Sequence, residues 1–317
     1  MEVLLVLRKI LSMFLIIFVG AFAYKIKWFD KETEKHLTTL MINIACPCIV
    51  FYSMVTQERT GVMVGKATQS LVMMTAVLLG TSLISIFVVK LLKAPRIDRG
   101  IYRLMIPFTN CGFMGYPLAY AVFGDEGLFL AIIANMAFNI VIFSVGALLL
   151  IYDMEEKGSV KETIKKIFSI PLVSCTMGLF MFFLGVKFPP LVVDTLKYVG
   201  DMTAPLAMLV VGIQLCQSSV SRIVKNRRLL LMTVVRLVAV PGLLFATLWW
   251  VPVDPLVFCV VVFAMCMPAA AYISVLAVRY KSNTLLAAEG IFLSTMFSLI
   301  TIPIFGMILN AYLLHIG

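Results

Sequence analysis

Charge is what this sequence is short of. Only 13% of its 317 residues are Asp, Glu, Lys or Arg, about half the share found in a typical soluble domain. The longest polar stretch runs only from Asp153 to Lys166, which leaves no room for a soluble domain. Histidine is scarcer still, with only His36 and His315. His-Glu-x-x-His, Gly-x-Ser-x-Gly and a plausible aspartate dyad are all missing, which argues against an intramembrane enzyme. No ATP-binding motif offers to drive a pump, and nothing calls for a cofactor. The seven cysteines fall in or beside apolar segments, where thiols behave as small hydrophobes and not as a disulfide framework.

What the chain does contain is apolar runs of bilayer-spanning length, about 20 residues each. Mean hydropathy is +1.05 and 62% of residues are hydrophobic. The pattern predicts an all-α polytopic membrane protein with about ten spans, at 3–24, 36–56, 67–89, 101–123, 127–151, 168–186, 191–216, 229–250, 256–278 and 285–314. The first has no small-residue cleavage site after it, so it reads as a retained helix and not a signal peptide. The net charge of +10 sets topology and does not point to nucleic acid. Nineteen Lys and Arg cluster at 25–35, 90–103, 157–166, 222–228 and 279–281, against only Arg59, Lys66 and Lys187 in the opposite loops. That bias places the basic side in the cytoplasm of a cell-membrane protein and both termini outside.

Two pairs of interruptions cut these runs. Pro47, after Asn43-Ile44-Ala45-Cys46, has a counterpart in Pro205, after Asp201-Met202-Thr203-Ala204. Asn110-Cys111-Gly112-Phe113-Met114-Gly115-Tyr116-Pro117 has one in Pro268-Ala269-Ala270. Arg8-Lys9-Ile10-Leu11-Ser12 also resembles Lys165-Lys166-Ile167-Phe168-Ser169, and Ala121-Val122 resembles Ala277-Val278, at nearly the same displacement. The expected organisation is a five-span repeat over 1–152, a cytoplasmic connection over 153–166 and a second repeat over 167–317. Five is odd, so the second copy is inverted. Matched breaks in inverted halves point to a midplane site and to alternating access.

The second pair of breaks carries the chemistry. Irregular backbone in hydrocarbon survives only where it is buried or lines a cavity. Pro117 and Pro268 donate no backbone hydrogen bond, while Gly112 and Gly115 permit sharp turns and close approach. If the fourth and ninth spans cross at their breaks, half-helix N-termini meet at the midplane and suit a carboxylate. Asn110 adds a neutral amide donor. A proline kink in a packed helix would produce the same residues with no site.

The segment Asn110 to Leu118 resembles the fourth-helix motif of the auxin efflux carrier family, which includes bacterial malate and malonate permeases and plant auxin exporters. Asn43 to Phe51 is similar to its second helix, and Met267-Pro268-Ala269 with Leu285 to Pro303 to its last two. The resemblance implies a ten-helix inverted-repeat fold, helices four and nine crossing at the substrate site, an elevator-type movement of organic anions and a homodimer. It carries the substrate-binding role to Asn110 and the crossover prolines to Pro117 and Pro268. The sequence departs from the pattern at Cys46-Pro47-Cys48 and at Glu289.

The substrate set expected on these grounds is Asn110, Gly112, Gly115, Pro117, Met267, Pro268 and Ala269, with Asn43 and Asn139. Glu289, early in the last span, is a candidate for a coupling proton or sodium, or an interfacial acid near a helix start. Asp201 is a second coupling candidate, or the partner of Lys197 one turn away. Arg236 lies mid-span and either attracts an anion or snorkels to the cytoplasmic interface. Asn135 and Asn139 share a helix face, lining a cavity or bonding a neighbouring helix; Gln214 has the same choice. Cys46 and Cys48 could bind a soft metal, although the 20 methionines are scattered. A cation-coupled symporter of the bile-acid type is the nearest alternative, and it would need acids at the crossover.

Overall fold

The computed structural model describes residues 2–152, 170–217 and 226–316. Among them every regular element is a helix, and one isolated antiparallel bridge joins Thr109 to Ala269. In chain order the helices are α1 (Glu2–Lys25), α2 (Lys31–Val55), α3 (Gly61–Leu91), α4 (Arg96–Met105), α5 (Gly115–Leu150), α6 (Ile170–Leu184), α7 (Pro190–Asp201), α8 (Thr203–Gln217), α9 (Arg227–Leu248), α10 (Pro255–Cys266), α11 (Tyr272–Arg279) and α12 (Thr284–Ile316). Six stretches are long and apolar enough to cross a bilayer: α2, α3, α5, Pro190–Cys216, α9 and Thr284–His315. Shorter apolar helices occupy Ile10–Lys25, Val173–Leu184 and Pro255–Cys266. The chain is a polytopic helical membrane protein.

The first pair of prolines breaks far less than expected from sequence: α2 runs through Pro47, and only Met202 parts α7 from α8, three residues before Pro205. α2 widens into a π-helical stretch at Met41–Ala45, where the Cys46 amide reaches back five residues to the Met41 carbonyl. The wider turn accommodates the Pro47 ring, and the helix continues to Val55. Pro205 is the third residue of α8, inside the first turn, where no intrahelical partner would await its missing N–H. α9 repeats the π solution at Val235–Ala239 just before Pro241. Pro303 lies within α12, which runs on to Ile316.

The second pair does break. α4 ends at Met105 and α5 begins at Gly115; α10 ends at Cys266 and α11 begins at Tyr272. Within α5, Gly124 takes φ 71° and ψ −160°, a conformation open to glycine and strained for other residues. The chain therefore turns there, between the fourth and fifth spans expected from sequence.

Packing forms two sets of close neighbours, joined where α1 also lies on α12 and α5. α1 lies most closely on α8, and α2 on α6 and α7. α3 packs on α5, and α10 on α5 and α12. Gly20 and Gly212 bring α1 and α8 into backbone contact: a Cβ on Gly20 would strike Leu209, and one on Gly212 would strike Ile17. Such close approach is how apolar helices associate where lipid removes the hydrophobic drive. The outer face of α1 shows Leu11, Leu15, Phe18 and Phe22, one helical stripe suited to acyl chains. In the other group Lys66 of α3 pairs with Glu126 beyond the Gly124 turn at 2.8 Å and with Asp254, the N-cap of α10, at 3.3 Å.

Candidate functional site

The two breaks meet. The Asn110 amide donates to the Pro268 carbonyl at 2.8 Å, and the Ala270 amide donates to the Phe108 carbonyl at 3.1 Å. These reciprocal bonds make the antiparallel bridge, so each interruption satisfies part of the other. The Ala269 amide, between them, donates to Ser294 Oγ of α12 at 3.0 Å. Three amides that the sequence offers to a ligand are thus committed to holding the crossover. This follows from the cost of an unpaired buried amide, roughly 1–3 kcal/mol each.

The carbonyl ends are held by a residue from a third element. Arg236, fully buried on the π-helical stretch of α9, donates from one terminal nitrogen to the Ile106 carbonyl and from the other to the Met267 carbonyl, each at 3.0 Å. Ile106 follows α4 and Met267 follows α10, so one guanidinium caps both first half-helices. The snorkelling reading of Arg236 is overturned: its side chain points into the crossover and reaches no interface.

The opposite face of the crossover lines a small cavity of about 30 Å³, formed with Cys46, Thr109, Asn110, Gly112, Tyr116, Asn135, Asn139, Ala270 and Tyr272 among others. Asn135 organises it. Its carbonyl oxygen accepts from the Cys111 thiol at 3.0 Å, and its amide donates to the Tyr116 hydroxyl at 2.6 Å. Asn139 donates to the Asn135 carbonyl one turn back at 2.8 Å. A Cβ on Gly112 would make ordinary van der Waals contact with the Asn135 amide, at 3.7 Å. Phe113 and Tyr272, one from each break, stack with ring centres 6.3 Å apart. The volume fits about two waters and no organic acid, so this is a closed arrangement. On the other side of the second break lies a cavity of about 290 Å³, lined by Gln214, Ala271, Ser274, Ala288, Thr295 and apolar neighbours. Among the residues that line either cavity there is no carboxylate.

Of the residues expected from sequence, Asn110, Gly112 and Asn139 line the small cavity, with Gly115 beside Asn110 and Met267. Pro117 lies in the first turn of α5, where its missing N–H again costs nothing. Met267 and Pro268 contribute carbonyls and Ala269 an amide, all spent within the protein. Asn43 does not join them: it is exposed on the far side of its π-helical stretch, and Cys46 reaches the cavity in its place. Cys48 faces elsewhere, and among the described residues no group of three metal-ligating side chains assembles. Asp201 binds Lys197 at 3.1 Å with about half its side chain exposed. Glu289 sits with Tyr102 of α4 within its electrostatic reach, five residues before Ser294 and off the cavity-lining positions of α12. Sequence reasoning missed Ser294, Tyr116 and Tyr272, whose hydroxyls look like any others in an apolar run.

Comparison with known proteins completes the description. Residues 5–306 match a family described as membrane transport protein. An uncharacterized transporter of Methanocaldococcus jannaschii is 25% identical over 304 residues, covering 95% of this chain and 97% of that protein. One of Methanothermobacter thermautotrophicus is 26% identical over 308 residues, covering 95% and 98%.

Proposed function

This chain belongs to the membrane transport protein family, which is the auxin efflux carrier family its fourth-span motif resembles, and from that premise we propose that it is a secondary active transporter of small organic anions. The observation that carries the reading is the crossover. Two half-helix N-termini, at Gly115 and Tyr272, approach a cavity lined by neutral amides and hydroxyls and by no carboxylate. Such ends attract negative charge, and no carboxylate among the lining residues opposes it. Asn110 holds the carboxylate, with Asn135 and Asn139 shaping the wall. Four-carbon dicarboxylates are the favoured class.

The long and short apolar helices, with α5 turned at Gly124, support ten spans in two inverted sets of five. The two breaks, in the fourth and ninth spans, support the same division. Alternating access then moves the crossover group, α3 to α5 with α9 to α12, against α1, α2 and α6 to α8. The small cavity opens in one limit and the larger one in the other. This is an elevator-type motion, in a homodimer, with the basic loops cytoplasmic and both termini outside. Glu289 carries the coupling proton; Asp201 is occupied by Lys197 and contributes to the interface.

Uptake of labelled malate into proteoliposomes, under an imposed proton or sodium gradient, tests this. Gradient-driven uptake that disappears in Asn110→Ala supports the site. Glu289→Gln is expected to keep malate binding and lose the pH dependence of uptake. No malate uptake under either gradient sinks the dicarboxylate class, and uptake undiminished in Asn110→Ala sinks the crossover as its site.

A further inference from the structure

We infer that Arg236 sets the charge of the cargo, admitting substrates that carry one net negative charge: a monocarboxylate, or a dicarboxylate with one carboxyl protonated. The inference rests on the anion-transporter reading above and sharpens it.

Arg236 is wholly buried, and arginine keeps its proton inside proteins. Among the described residues no carboxylate pairs with it, and its Nε has no hydrogen-bond partner. Its two terminal nitrogens bind the carbonyls that follow α4 and α10. A helix C-terminus carries about half a negative charge, so two of them take up about one guanidinium charge. The first amides of α5 and α11 are themselves bonded inside the breaks, Gly115 to Asn110, Tyr116 to Gly112, Ile273 to Ala270 and Ser274 to Ala271, so the charge left without an internal counter-charge is the guanidinium's, expressed at these two positive helix ends. They meet at the small cavity, whose lining residues are all neutral. The crossover as a whole is therefore short of one negative charge, and a single carboxylate supplies it. A second ionised carboxylate would have to be buried unpaired, at a cost a protonated carboxyl avoids.

Arg236 does not line the cavity; it acts through the two broken helices and is a positioning residue. Arginine suits this task because its planar fork reaches two acceptors at once, where lysine offers a point charge. The π-helical stretch that carries it, a distortion common at functional sites, breaks the α-helical register of α9 at this residue.

The test uses the purified full chain and three probes of one shape: succinamide, succinamate and succinate, of charge zero, −1 and −2 at neutral pH. Competition for uptake, or thermal stabilisation in detergent, gives their relative affinities. The wild type is expected to prefer succinamate to succinamide, and to take succinate better as the pH falls toward its second ionisation. Arg236→Met is expected to lower the succinamate-to-succinamide ratio by about tenfold, the effect of one charge at roughly 10 Å and an effective dielectric of about 20. Arg236→Lys is expected to keep most of the ratio. A purely structural role would weaken all three probes alike and leave the ratio unmoved in Arg236→Met, which overturns the inference. So does a wild type that prefers succinate at high pH.

A second readout needs no cargo. Cys111 and Cys266 flank the two breaks and are buried. Alkylation at these two residues, followed by mass spectrometry, is expected to quicken severalfold in Arg236→Met and less in Arg236→Lys. Unchanged rates in Arg236→Met overturn the clamp. If the wild type binds none of the three probes, the cargo reading fails with the charge rule, and the alkylation rates still decide whether Arg236 holds the breaks. Should Arg236→Met not fold, Arg236→Lys decides: faster alkylation with the charge preference kept supports the inference, and loss of the preference overturns it.

Discussion

The chain interrupts its apolar runs with proline in two ways, and they end differently. At Pro47 and Pro205 the helices carry on, one through a π-helical stretch and the other through a single residue, Met202. At 106–114 and 267–271 they stop for several residues. Proline is common to both, so proline does not decide. The difference lies in what waits for the freed backbone groups. Around Pro47 nothing does, and the helix restores its own bonding within one turn. At the breaks, each strand-like segment finds the other, Ser294 finds an amide, and Arg236 finds two carbonyls. A membrane helix stays open only where partners are built in from elsewhere.

That contrast can be broken by experiment. The largest effect belongs to Arg236→Met, which strands the Ile106 and Met267 carbonyls; each stranded group costs roughly 1–3 kcal/mol, read as a lower midpoint of thermal unfolding in detergent. Ser294→Ala removes one acceptor from the Ala269 amide, and a loss of about 1–3 kcal/mol is expected, with Ser294→Thr closer to wild type. Pro47→Ala is expected to change stability by less than about 1 kcal/mol and to leave transport intact, because α2 is already continuous. If Pro47→Ala proves worse than Ser294→Ala, the first interruption is a working element and the contrast fails. The smallest effect is that of Asp201→Asn. Its pair with Lys197 is half exposed, so about 0–1 kcal/mol is expected, with unchanged ion coupling; altered coupling would return Asp201 to the mechanism.

The positions of the breaks were legible because asparagine, glycine and proline have few other uses together in an apolar run. That the chain is helical and crosses the membrane many times was legible because hydropathy reports apolar runs directly. Arg236 was visible as an anomaly, but its direction was not, since snorkelling and burial differ only in rotamer and helix register. Ser294 was invisible for another reason: a serine costs little in a helix, and only the arrival of the Ala269 amide gives it a task. Asn43 was singled out by its place before Pro47 and by the second-helix resemblance, neither of which reports the side of the helix it faces, and the structure leaves it exposed.

The crossover also imposes an order on synthesis. Arg236 follows Ile106 by 130 residues, and Pro268 comes later still. When the ribosome delivers the segment around Asn110, its partners across the crossover do not exist yet, although Gly115 and Asn135 soon supply local ones. That segment must stay hydrated, or sheltered by the insertion machinery, until α9 and α10 arrive. A chain halted before residue 236 would therefore leave the first break in the bilayer without its partners from α9 and α10.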